Sequence, residues 1–229
     1  TEEKGYEVHS IIVNTGGFND EELEKIEQHA YKLGVKTHTT INAIYDYYHR
    51  IIKYLIYGNC LKNNTYPLSV SAERLSKALH IAEHVKKLNA DAVAHGSTGA
   101  GNDQVRFDMI FHIIIPGVEI ITPIRDMKLS REAEIEYLKG KGVEMNFEKA
   151  MYSINKGLWG TSVGGKETLS SKGMLPEEAW PTQVSKTDTE ELKLGFEKGE
   201  LKSINDQNFV HPADVIQYLQ SIAGPYGVG

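Results

Sequence analysis

The chain has 229 residues, 40% hydrophobic and 24% charged, the composition of a folded globular protein with length for one large domain or one and a half smaller ones. Its net charge of −6 argues against broad, sequence-independent nucleic-acid binding, so an anionic ligand has to be held by local features. No apolar run approaches the roughly 20 residues of a membrane helix and no signal-peptide pattern precedes the first strand, which excludes a membrane partner from the reading and points to small-molecule chemistry in the cytoplasm.

In chain order, the patterning predicts a strand over 6–13, a helix over 20–33, a strand over 36–41 and a helix through 47–56. A helix over 71–88 and a strand over 91–94 follow. This alternation implies a parallel sheet and an α/β fold. In the second helix Tyr45, Tyr47, Tyr48, Tyr54 and Tyr57 have helical spacing, read as core and interface packing rather than a stacking platform. The single cysteine, Cys60, excludes an intrachain disulfide framework and fits a reducing compartment; its expected place is that of a buried small hydrophobe. The Asn63-Asn64-Thr65 sequon is then chance.

The 71–88 helix contains His80-Ile81-Ala82-Glu83-His84, the His-x-x-Glu-His order of one zinc-protease class. Leu75, Ala78, Leu79, Ala82 and Val85 make its apolar stripe, however, and Glu73, Lys77, His80, His84 and Lys87 the opposite face, so a solvated charged face is the expected reading and no histidine is assigned to a metal.

After the 91–94 strand comes Ala94-His95-Gly96-Ser97-Thr98-Gly99-Ala100-Gly101-Asn102-Asp103-Gln104-Val105-Arg106-Phe107. Apolar spacing at Val105, Met109 and Ile113 predicts a helix with Asn102 or Asp103 as its N-cap. Glycines at 96, 99 and 101 are expected to adopt positive φ and let the backbone approach a ligand, with the helix N-terminus adding partial positive charge. Arg106 lies three residues after Asp103 and four after Asn102, so a guanidinium, a carboxylate and an amide converge on one end of one face. The pattern suits phosphate or carboxylate. A βα turn needing glycine for geometry alone is the bland alternative; for His95, packing under the sheet and ligand contact stay equally open. The strand predicted over 118–122 runs into Pro123 instead of the acid a dinucleotide fingerprint expects, and no Lys followed by Ser or Thr closes a P-loop.

From about Val143 the chain turns polar and glycine-bearing, including Gly164-Gly165. Leu192, Leu194 and Phe196 pair across Lys198-Gly199 with Leu201 and Ile204 as a predicted antiparallel hairpin, and Pro212 and Gly224 bracket a last helix. The expected division is 1–142 as a nucleotide-binding α/β domain and 143–229 as part of an α+β domain.

The segment His95 to Phe107 closely resembles the signature of argininosuccinate synthases. Three further stretches agree in order and spacing: Tyr66-Pro67-Leu68-Ser69-Val70-Ser71, Ser130-Arg131-Glu132-Ala133-Glu134-Ile135-Glu136-Tyr137, and Tyr152-Ser153-Ile154-Asn155-Lys156-Gly157-Leu158-Trp159-Gly160-Thr161-Ser162. The chain departs from that family in lacking the Ser-Gly-Gly-x-Asp-Thr-Ser pyrophosphate loop and the last part of the synthetase domain, and is expected to be an incomplete copy. Ala100 replaces a lysine many members carry, and Ser69-Val70 with Ala72-Glu73-Arg74-Leu75 departs from their Gly-Thr-Ser-Leu-Ala-Arg-Pro.

The resemblance implies a Rossmann-like parallel sheet of the adenine nucleotide alpha-hydrolase type followed by part of a synthetase domain. It implies ATP-dependent condensation of citrulline with aspartate through a citrullyl-adenylate, with Mg2+ shielding the phosphates. Carried over by motif, Val13 and Ala94, His95, Gly96, Ser97, Thr98, Gly99, Ala100, Gly101 and Asn102 line ATP. Thr98, Asn102 and Asp103 hold aspartate, and Tyr66, Ser71, Asn102, Arg106, Ser153 and Ser162 hold citrulline. No general base is nominated, and a homotetramer is expected. The alternatives are another pyrophosphate-loop adenylating enzyme and an inactive fragment that only binds ligand or partner subunits.

Overall fold

The computed structural model describes residues 4–64, 66–99, 101–143 and 152–228. Of these, residues 4–73, Ile154–Val163 and those from Met174 onward form one compact unit, and the remainder a second. This division follows packing rather than chain order.

In the first unit β1 (His9–Asn14) pairs in parallel with β2 (Thr37–Asn42), from His9 opposite Thr37 to Asn14 opposite Asn42. Both strands are rich in β-branched residues, which pack well on a pleated surface. They are joined through α1 (Asp20–Lys32), whose start is fixed by a capping box: the Asn19 side chain accepts from Glu22 N, and the Glu22 carboxylate accepts from Asn19 N. The next helix runs as α2 (Ile44–Tyr47), a π-helical stretch Tyr48–Ile52, and α3 (Lys53–Tyr57).

Tyr47 and Tyr48, both 1% exposed, pack with Ile44, Ile52, Leu158, Ala213 and Ile216 into this unit's core. Each fully buried large side chain of this kind contributes about 1.5–3 kcal/mol. Tyr45, Tyr54 and Tyr57 lie at the surface. Cys60 is exposed, contrary to expectation: it follows the turn through Gly58 and Asn59 at the end of α3 and lines a pocket of about 280 Å³ with Leu55, Ile56, Leu61, Leu68 and Trp159. Tyr66 stands in a two-residue strand, where β3 (Leu61–Lys62) pairs antiparallel with β4 (Tyr66–Pro67).

α4 (Ser69–Leu88) contributes its first turn to this unit and the rest to the second. There, β5 (Ala92–Ala94) pairs in parallel with β6 (Glu119–Ile121), connected by α5 (Asp103–Ile114); α6 (Pro123–Asp126) and α7 (Arg131–Gly140) follow. Ala78, Ala82 and Val85 of α4 pack on Val93, Phe111 and Ile115, which bears out three of the five stripe positions as fully buried. The polar face is less solvated than expected: Glu73 is 2% exposed, Lys77, His80 and His84 are half-buried, and Lys87 is exposed.

β7 (Ser153–Lys156) pairs with β8 (Thr161–Gly164). The predicted hairpin is present as β9 (Leu194–Glu197) and β10 (Glu200–Ile204), with Phe196 opposite Leu201 and Leu194 opposite Ile204. Lys198 and Gly199 turn it at φ 51° and 84°, the doubly left-handed turn that matches strand twist. A short β11 (Gln207–Asn208) adds a third strand, and α8 (Pro212–Ala223) starts at Pro212 as its sequence signals. Among the described residues no helix is long and apolar enough to cross a membrane.

Candidate functional site

In the second unit the chain leaves β5 at Ala94, with His95 N donating to Ile121 O at 3.1 Å, and re-enters regular structure at Asp103. The loop between is the predicted turn. Asn102 holds the N-cap position of α5 but in helical geometry (φ −82°, ψ −11°) and without a side-chain capping bond, so the first N–H groups of α5 keep no cap from it. None of Gly96, Gly99 and Gly101 has positive φ, which corrects the expected reason for them. What they supply is bare backbone: a Cβ added at these positions meets nothing closer than 3.6 Å. Thr98 and Asn102 are exposed on this loop, and Ala100 lies outside the described residues.

Asp103 is the electrostatic centre. Its Oδ1 accepts from Arg106 Nη1 at 2.8 Å, one turn along α5 as the spacing predicts, and its Oδ2 accepts from Arg74 Nε at 3.0 Å. Two guanidiniums thus meet on one carboxylate beside a helix N-terminus. Arg74 comes from α4, and no local spacing in the sequence marks it.

A second network runs beneath the loop. His95 Nδ1 accepts from Ser97 N at 3.3 Å, which leaves the ring proton on Nε2, facing Asp108 Oδ1 at 2.9 Å. Arg125 Nη1 donates to Asp108 Oδ2 at 2.6 Å and to Gln104 Oε1 at 3.1 Å. Gln104 Nε2 in turn donates to the carbonyls of Gly99 at 2.6 Å and Gly101 at 3.3 Å. Burial alone would raise the Asp108 carboxyl, but its bonds to Arg125 and His95 outweigh that and hold it below the ordinary range. His95 also stacks on Phe107, so its side chain is committed to packing and to Asp108.

The other residues singled out from the sequence are distributed as follows. Val13 is buried near the end of β1, Ser71 is half-buried in the first turn of α4, and Ser162, in β8, accepts from Asn155 Nδ2 at 3.3 Å; all three belong to the first unit, as does Tyr66. Ser153, exposed at the start of β7, is counted with the second. After β1 the chain turns through Asn14 to Phe18, with Gly16 N donating to Asn14 Oδ1 at 2.9 Å and Asn14 Nδ2 to Phe18 O at 3.1 Å. A Cβ on Gly17 would stand 2.1 Å from Lys156 O.

The family model "Arginosuccinate synthase N-terminal HUP domain" matches residues 1–144. The chain belongs to the argininosuccinate synthase family. Relatives bearing that name are 39% identical in Methanocaldococcus jannaschii, over 98% of this chain and 57% of their own, and 37% in Hyperthermus butylicus, over 99% and 58%. The argininosuccinate synthase of Pyrococcus furiosus is 35% identical over 100% of this chain and 55% of its own. This family member thus spans rather more than half the length of the curated relatives it matches. The α/β architecture with parallel pairing expected from the sequence is that of the HUP domain.

Proposed function

We propose that this chain serves the ATP-dependent condensation of L-citrulline with L-aspartate to argininosuccinate, with loop 95–102 and the start of α5 as the seat of nucleotide and aspartate. The observation that carries this reading is the Asp103 centre: bare glycine backbone, a helix N-terminus and two guanidiniums gathered on one carboxylate. The names of the relatives support the choice of reaction.

In this reaction the ureido oxygen of citrulline attacks the α-phosphorus of ATP, forming citrullyl-adenylate and releasing pyrophosphate. The aspartate amine then displaces AMP at the ureido carbon. Thr98 and Asn102 offer hydrogen bonds to the aspartate carboxylate. Asp103 takes its ammonium group, since each carboxylate oxygen keeps acceptor capacity beside its guanidinium partner. Arg106 spends one N–H on Asp103, and its planar fork has further donors for a citrulline carboxylate. Such a site works by position and electrostatics. Mg2+ bound to the ATP phosphates would shield their charge.

The test is pyrophosphate release from ATP by the purified chain. Release that requires citrulline, followed by argininosuccinate formation only with aspartate, is the expected result. Consumption of ATP with a different acceptor overturns the reading in favour of another adenylating enzyme. Binding of ATP and aspartate without release assigns the chain ligand binding alone.

A further inference from the structure

The loop is braced by side chains of α5 and α6. Arg125 projects from α6, a short helix tied to its strand by Asp126 N donating to Thr122 O at 2.9 Å and by the Thr122 hydroxyl donating to Asp126 Oδ1 at 2.7 Å. Thr122 is buried, and its Oγ1 accepts from Arg125 Nε at 3.1 Å, so the guanidinium is anchored from behind. In front, Arg125 Nη1 meets both Asp108 and Gln104. A ring of hydrogen bonds is thereby closed from His95 at one end of the loop, through Asp108, Arg125 and Gln104, to Gly99 and Gly101 at the other.

We propose that Arg125 is a positioning residue of the glycine loop, acting through Gln104 and Asp108 to fix the backbone that receives nucleotide and aspartate; this rests on the reading of the loop given above. The guanidinium can only donate, so the Gln104 amide must turn its oxygen to Arg125 and its NH2 to the loop. That NH2 holds the Gly101 carbonyl inward, and across a trans peptide the following N–H points the opposite way. Asn102 N–H is thus aimed outward from the brace, at the start of α5, where an anion is welcome. The Asp108 arm does the same for the other end, because it orients the His95 ring that accepts from Ser97 N. Without Arg125, Gln104 can flip and Asp108 loses its cation, and the loop must be ordered at the expense of binding.

Three variants of the full 229-residue chain test this. Arg125→Met removes every donor, Arg125→Lys keeps a cation for Asp108 without the fork, and Gln104→Glu keeps an acceptor for Arg125 but no donor for the loop. Amide hydrogen exchange over residues 96–102 and calorimetric affinities for a non-hydrolysable ATP analogue and for aspartate are measured on each. In Arg125→Met and Gln104→Glu, loop exchange should rise about tenfold while α5 keeps its protection. Both affinities should fall by about tenfold or more, with Arg125→Lys between them and wild type. Saturating ligand should restore the loop's protection in Arg125→Met, a response that a residue serving stability alone would not give. Wild-type exchange and affinity in a folded Arg125→Met protein overturn the proposal, as does faster loop exchange with unchanged affinity. A wild-type chain that binds neither ligand overturns the reading of the loop itself, and Arg125's part in binding with it.

Discussion

Thr15, immediately after β1, donates its hydroxyl to Oε1 of Glu73, the fifth residue of α4, and both side chains are buried. Replacing the carboxylate by an isosteric acceptor preserves that bond, whereas deleting it strands a buried hydroxyl and opens a void. Glu73→Gln is expected to change stability by less than about 1 kcal/mol, and Glu73→Ala to cost about 2–3 kcal/mol. Urea denaturation of the two variants, compared at equal m-value, measures the difference.

Gly17 sits where the turn after β1 approaches the backbone of Lys156. Its carbonyl neighbour is main chain and cannot rotate aside, so Gly17→Ala should destabilise by about 1–3 kcal/mol or more through forced backbone movement. By contrast Gly101→Ala, whose Cβ meets nothing nearer than Asp103 N at 4.0 Å, should leave the melting temperature nearly unchanged. Equal losses in the two variants would show that the approach at Gly17 relaxes.

Arg106→Lys separates fork geometry from charge. An ammonium can still pair with Asp103, so the fold and ATP binding should hold. Citrulline affinity should drop about tenfold or more, because a point charge cannot grip a planar carboxylate in two places. Titration calorimetry with each substrate decides it; equal losses for ATP and citrulline would remove Arg106 from its proposed role.

His211 gives a pH dependence. Its Nδ1 accepts from Ala213 N at 3.0 Å as the N-cap of α8, so its Nε2 proton faces His49 Nε2 at 2.9 Å. Burial, then the neighbouring His49, lowers its pKa below 6.5; Lys202 acts in the same direction, while Asp214 and Glu200 oppose it. The unfolded chain therefore takes up a proton before the folded one. Stability on this account is complete above about pH 6.5 and declines as pH falls through that value toward the lowered folded pKa. His211→Asn keeps a capping oxygen and cannot titrate, so the fall in melting temperature between about pH 7 and pH 5 should be smaller in the variant than in wild type.

The parts of the fold visible in the sequence are those written in local chemistry. Lys198-Gly199 between alternating apolar residues specifies its hairpin, Pro212 and Gly224 specify α8, and Asp103 and Arg106 meet because three residues are one helical step. Arg74 and Arg125 were not visible in this way, since they reach Asp103 and Asp108 only after α4 and β6 have packed around β5. Glu73 reads as surface on a helical wheel, and only the turn after β1 makes it interior. For the loop glycines, spacing shows where side chains are absent but not the backbone conformation, because φ depends on the completed brace.

Between Ile44–Tyr47 and Lys53–Tyr57 the helix is wound wide, as a π stretch over Tyr48–Ile52. Its far end meets the β9–β10 hairpin, with Lys53 Nζ 3.3 Å from Glu200 and the Tyr57 hydroxyl donating to Lys198 O at 3.2 Å. The wide turn holds one residue more than an α turn, so deleting one residue from it would restore an ordinary helix with everything beyond it close to its present register. Lys53 and Tyr57 would then still face the hairpin, whereas the same deletion within α3, ahead of Tyr57, would turn Tyr57 by about 100° and away from it. The wide turn is thus a reserve of length: the segment should accept the loss of one residue there and nowhere else along the helix.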